Sequence, residues 1–148
     1  MSEKILQQPL LYLSGFFEKN RTLYYDNLTR VRTNNDLLKW LKYFLVGVDE
    51  TARKSSDTLS KILRVKAEKE SLLQQSAGRR ISPSLLLLNH LFVNPVIRVK
   101  QVEEVCRLSA KAANDLVSFF EEQKILKEIS GQSRYRIFVF QEYVDLFE

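Results

Sequence analysis

Little in this chain of 148 residues suits chemistry at a metal or a phosphate: it has one cysteine, one histidine, four glycines and three prolines. Cys106 has no second thiol to pair with, so an internal disulfide is excluded, and one Cys with one His makes no zinc spacing. Four glycines leave no phosphate-cradling loop. His90 lies among Leu87, Leu88, Leu91 and Phe92, with no carboxylate or nucleophile placed to work with it. It reads as a histidine at the edge of a core rather than a general base. The adjacent carboxylates Asp49-Glu50 and Glu121-Glu122 diverge on a helix and read as solvated faces. The chain therefore reads as non-catalytic, with no catalytic residue, cofactor or metal. Four consecutive leucines between Ser84 and Leu88 fall far short of the ~20 apolar residues that a membrane span needs. Met1 to Gln8 has no apolar run of the signal-peptide kind, so a cytoplasmic protein without membrane contact is expected.

What is present is apolar side chains and positive charge. A hydrophobic content of 45% is enough for a packed core, and the length allows one ordinary domain or two small ones. The net charge of +5 is unevenly spread. Residues 1–80 hold 15 Lys/Arg against 9 Asp/Glu, and residues 81–148 hold 8 against 9. The basic excess therefore lies in the first part.

That first part, 1–80, is helical by pattern. Pro9 suits a first helical position, with Leu10, Leu11, Leu13, Phe16 and Phe17 following on one side. The phase resets near Asn20, and a second helix carries Leu23, Tyr24, Leu28 and Val31. Thr33-Asn34-Asn35-Asp36 is a polar break, with Asp36 placed to cap a third helix. The apolar stripe of that helix runs Leu37, Trp40, Leu41, Phe44, Leu45, Val48, Ala52, Leu59, Ile62 and Leu63. No Pro or Gly interrupts between Val48 and Ala77, so it continues to about Gln75, on the order of 60 Å at ~1.5 Å per residue. A helix this long outruns so small a domain and is expected to pack on a partner chain or to span two units. Ser76-Ala77-Gly78-Arg79-Arg80 reads as a linker, with Gly78 ending the helix.

Residues 81–148 follow the element order of a winged helix. Ser82 is placed to cap a helix with Pro83 in its first turn and an apolar face from Leu85 to Phe92. The next helix has Val102, Val105 and Cys106 on one face, which marks Cys106 as a buried, inert thiol. Leu108-Ser109 makes a turn, Ser109 caps the following helix, and Ala112, Ala113, Leu116, Val117, Phe119 and Phe120 repeat near 3.6 residues. After Lys124 the period becomes two on either side of Gly131-Gln132-Ser133, which predicts a hairpin. The expected fold is thus mainly α: a helical unit with a long helix over 1–80, then a winged helix-turn-helix of three helices and a small hairpin over 81–148.

A resemblance covers essentially the whole chain after Gln7. The segment Leu10-Leu11-Tyr12-Leu13-Ser14-Gly15-Phe16-Phe17-Glu18-Lys19-Asn20-Arg21-Thr22-Leu23-Tyr24-Tyr25-Asp26-Asn27-Leu28 resembles the part of Fic-family proteins that follows their active-site loop, including the Asn-Arg-x-x-Tyr-Tyr element. Leu37 to Val48, with Trp40 and Tyr43-Phe44, resembles the next helix of that family. Ala112-Ala113-Asn114, Ile125-Leu126-Lys127-Glu128 and Arg134-Tyr135-Arg136 are similar to the winged helix that follows the Fic core in many bacterial members. Fic proteins transfer AMP from ATP to hydroxyl side chains. The resemblance implies that Tyr24 and Tyr25 correspond to the pair contacting the base end of the nucleotide; packing of both rings on a neighbouring helix is the alternative. Arg32 stands where some relatives carry a nucleotide-contacting asparagine. The catalytic His-Pro-Phe-x-x-Gly-Asn-Gly-Arg loop would belong just before Ile5 and is not in the sequence, nor is the inhibitory Ser/Thr-x-x-x-Glu-[Gly/Asn] helix.

Two functions stay open on these grounds. One is a non-catalytic C-terminal fragment of a Fic-type AMP-transferase, acting as a homodimer or by docking the missing catalytic half. The other is a DNA-binding transcriptional regulator, in which Ser109, Lys111 and Asn114 face the groove while Arg134 and Arg136 serve the wing. A net charge of −1 over 81–148 sets the second expectation at weak, salt-sensitive binding. An inert remnant of a truncated gene is a third possibility.

Overall fold

The computed structural model describes residues 13–132 and 135–147. Two compact units divide at Leu59 and Ser60, inside one continuous helix. This differs from the boundary at residue 80 suggested by the glycine and paired arginines. The reason is that Val65, Leu73 and Ala77, all before residue 80, are buried in the core of the second unit.

The first unit comprises α1 (Leu13–Lys19), α2 (Arg21–Asn34) and the start of α3 (Leu37–Ser76). Pro9, Leu10 and Leu11 of the anticipated first helix lie outside the described residues. The expected phase reset falls at Asn20, whose side-chain amide donates back to the Phe16 carbonyl at 2.9 Å. α2 ends at Asn35, which takes the left-handed conformation (φ 55°) that asparagine tolerates. Asp36 then caps α3 as expected, accepting from the Lys39 amide at 3.2 Å. Rings hold this unit together: Phe17 lies 5.0 Å from Tyr24 and 6.3 Å from Trp40, centroid to centroid, and Phe16 lies 5.5 Å from Tyr43.

The anticipated stripe of α3 is corrected in part. Tyr43 and Gly47 are the buried positions of its first half, whereas Leu37, Leu41, Leu45, Leu59 and Leu63 are exposed. The helix is apolar on two faces, and α1 and α2 cover only one.

The second unit continues α3 and adds α4 (Ile81–Leu91), β1 (Val96–Arg98), α5 (Val99–Cys106), α6 (Ala110–Glu122), β2 (Lys127–Glu128), β3 (Ile137–Val139) and α7 (Gln141–Val144). The strands form an antiparallel sheet in the order β1-β3-β2, with Ile97 opposite Phe138 and Glu128 opposite the same residue on the other side. This is the winged-helix arrangement expected from the pattern, with β1 and α7 added. The core gathers Leu87, Leu88 and Leu91 of α4, Val102 of α5, Leu116, Val117 and Phe120 of α6, and Phe138 and Phe140 from the sheet side.

Ser82 is not a cap. Gly78 turns left-handed (φ 53°) and starts a 3-10 turn, Gly78–Arg80, that feeds directly into α4, with the Ile81 amide bonded to the Gly78 carbonyl. The first amides of the helix are therefore served by that turn, and Ser82 falls inside α4. The anticipated linker is a packed corner: Ala77 is buried and the Arg80 guanidinium lies 4.5 Å from the Phe119 ring centroid. Among the described residues no helix is long and apolar enough to cross a membrane.

Candidate functional site

The helix-turn-helix is built from local rules. α5 ends when Arg107 turns left-handed (φ 52°), and the Leu108 amide reaches back to the Glu103 carbonyl at 3.0 Å. The chain then re-enters a helix at Ser109, whose hydroxyl accepts from the Ala112 amide at 3.3 Å, as expected. Ala113, Leu116, Val117, Phe119 and Phe120 point α6 into the core, which leaves Lys111, Asn114, Asp115 and Ser118 exposed. Ser109, Lys111 and Asn114 are thus all exposed at the start of α6, with the Ser109 hydroxyl engaged in the cap.

Arg136 does not join them as a free cation. Its guanidinium lies 3.8 Å from Glu128 and 4.0 Å from Glu121, and sits 5.1 Å from the Phe138 ring centroid. Its Nη2 also donates to the Asn114 side-chain oxygen at 3.4 Å, while the amide nitrogen of Asn114 donates to the Ala110 carbonyl at 2.8 Å. Two carboxylates therefore surround one guanidinium, and Arg136 fastens the base of the wing to α6. Ser130 strengthens that seam, donating to Glu128 at 2.9 Å and accepting from the Ile137 amide at 3.2 Å. Arg134 lies outside the described residues. At the tip Tyr135 is exposed with φ 57°.

The second candidate area surrounds the tyrosine pair. Tyr24 is half-buried within the ring cluster, 5.6 Å from Trp40 and 5.4 Å from Tyr25. Tyr25 is exposed, with the Arg21 guanidinium 5.7 Å from its ring centroid. Tyr24 therefore packs on α3, and Tyr25 is open to solvent. Two polar groups that pattern reasoning missed are buried in this unit. The Asn27 side-chain oxygen and the Tyr43 hydroxyl find no hydrogen-bond partner among the described residues. Asn27 was detectable, since it follows Tyr24 by three residues and precedes Val31 by four, on the face that packs inward. Burial, with Tyr24 adding a smaller push, raises the Tyr43 phenol above its ordinary range.

Among the described residues no group of three or more His, Cys, Asp or Glu side chains converges. His90 is half-buried near the end of α4. Cys106 is buried, its thiol directed at the Pro83 carbonyl at 3.5 Å, and burial pushes its pKa up. That is the opposite of what an attacking thiolate needs. No family model matches this sequence, so the likeness to Fic proteins rests on the residues quoted for it alone.

Proposed function

We propose that this chain is a non-catalytic assembly module, the C-terminal part of a Fic-type AMP-transferase that works by self-association and by docking a catalytic half. One observation carries the assembly reading: Leu23, Tyr25, Leu28, Leu37, Leu38, Leu41, Leu45 and Val46 are all exposed within the first unit. Scattered exposed leucines are ordinary, and it is their number within so small a unit that supports an interaction surface here. The Fic assignment is supported by the resemblance of Leu10 to Leu28 and of Leu37 to Val48. A cytoplasmic setting suits a chain whose lone cysteine forms no internal disulfide. Sedimentation velocity tests the assembly reading. Growth of a dimer with concentration is expected, and a monomer at high micromolar concentration would overturn it.

DNA binding is the second reading, favoured by the exposure of Ser109, Lys111 and Asn114 at the start of α6 in a helix-turn-helix. The engagement of Arg136 with Glu121 and Glu128 weighs against tight binding, because it removes a cation from the phosphate-facing set.

A further inference from the structure

We propose that α3 pairs with α3 of a second copy as a short antiparallel coiled coil over residues 38–55. This rests on the assembly reading and names its surface, partner and direction. The inner face of α3 carries Trp40, Tyr43, Phe44 and Gly47, which meet Phe16 and Phe17 of α1, with Trp40 also against Tyr24 of α2. The other face carries Leu38, Leu41, Leu45, Val48, Ala52, Ser55 and Leu59, spaced alternately by three and four residues. That is a heptad seam with a mean period of 3.5, the repeat that keeps one stripe against a partner helix instead of drifting around the surface. Leu38 is 63% exposed, Leu41 48%, Leu45 55% and Leu59 41%, and Ala52 is exposed, while Val48 and Ser55 are half-buried, so the chain itself leaves the leucines of the seam largely uncovered.

The occupant follows from how the seam fits its own copy. Aligned in parallel and in register, the leucines at 38, 41 and 45 meet themselves, and so do Ala52 and Ser55. The leucine end would then pack as an ordinary zipper, but the Ala52 and Ser55 layers at the other end would hold a void beside two facing hydroxyls. Reversed about a two-fold axis between Val46 and Gly47, Leu38 lies opposite Ser55 of the second copy, Leu41 opposite its Ala52, and Leu45 opposite its Val48. Each layer then pairs a leucine with a smaller side chain, the even filling that helix interfaces favour. Charge agrees with this direction. Lys42 and Asp49 each follow a seam residue, Leu41 and Val48. In the antiparallel register Lys42 lies between the same two layers as Asp49 of the second copy, and symmetry makes that pair twice. In the parallel register Asp49 would instead lie against the second copy's Phe44. Asp49 also accepts from Arg53 of its own helix through Oδ2 at 2.9 Å, so pairing with Lys42 of the second copy shares a carboxylate that is already engaged.

Light scattering and sedimentation on the full chain test this, with far-UV circular dichroism confirming that each variant stays helical. Leu41→Glu is expected to give a helical monomer. Lys42→Asp sets like charges against each other and is expected to weaken the dimer by about five- to tenfold, and adding Asp49→Lys to it restores association. Spin labels fix the direction, since Val46 and Lys39 occupy equivalent heptad positions. Labels at Lys39→Cys should sit about 20 Å further apart along the helix axis than labels at Val46→Cys, from the ~1.5 Å rise per residue. Equal separations at the two sites would overturn the antiparallel pairing. A dimer that Leu41→Glu leaves intact would overturn the seam while the assembly reading stands, whereas a wild-type monomer would remove both.

Discussion

Gly47 shows how a single missing side chain sets the packing of the first unit. A methyl group there would lie 2.6 Å from two carbons of the Phe16 ring, inside any allowed contact. Phe16 cannot swing away freely, because its ring also packs on Phe17 and Tyr43. Gly47→Ala would gain about 1 kcal/mol of intrinsic helix preference and lose more to the overpacked contact, which typically costs ~1–3 kcal/mol. A modest net destabilisation of the first unit is expected, read by urea unfolding through the fluorescence of Trp40, the sole tryptophan. A variant as stable as the parent would contradict the tight approach of α1 to α3. Cys106 gives the second residue-scale prediction. Burial holds its thiol above the ordinary value of 9.0, so the folded state favours the protonated form. The stabilisation is complete below the unfolded-state pKa and fades as pH rises through the folded-state value. Thermal melts of the winged helix should therefore fall from about pH 9.0 upward, and Cys106→Ala should reduce that slope. Tyr143, raised by burial from 10.0, adds a further loss at higher pH.

At the level of elements, what could be read in advance was whatever local chemistry decides. Asp36 and Ser109 announced two helix starts because a short side-chain oxygen reaches the amide three residues on. Gly78 announced the end of α3 because a left-handed residue is needed there. β1 was not legible, since three residues after Pro95 carry too short a pattern and their partner, Ile137–Val139, is remote in sequence. The Ser82 reading failed for a similar reason: the preceding turn already satisfied the first amides of α4. Arg136 could be placed on a strand by alternation, but its capture by Glu121 and Glu128 depends on α6 and β2 meeting. That capture bears directly on DNA. With Lys111 the exposed cation of the first turns of α6 and Arg136 neutralised, binding should be weak, with Kd in the range of ~10⁻⁴–10⁻⁶ M, and should fall steeply with salt. Fluorescence anisotropy with random duplex DNA at two salt concentrations measures it. Lys111→Ala together with Arg134→Ala should abolish the signal; tight binding that survives both changes would return the winged helix to direct DNA readout.

For the whole molecule, the sequence pattern identified the apolar stripe of α3 but not what covers it. Leu37, Leu41 and Leu45 follow the same helical period whether they face the chain's own core or another chain, and only the fold shows them exposed. The surroundings of the tyrosine pair were equally hidden in the pattern: Tyr24 lies against Trp40 and Tyr25 is open to solvent. Chemistry at this scale turns on whether any titratable group has a working partner. His90 is half-buried on α4, and the Cys106 thiol is kept protonated by burial. Transfer of AMP requires a base that takes a proton from the attacking hydroxyl while cationic or backbone donors hold the phosphates. The proposed assembly reading assigns neither role to a residue of this chain. The purified chain, incubated with ATP labelled in its α-phosphate and with magnesium or manganese, should therefore transfer no label to itself or to added proteins. Robust labelling that vanishes in His90→Ala would show that the histidine acts as a base after all, and the assembly reading would then have to give way to an enzymatic one.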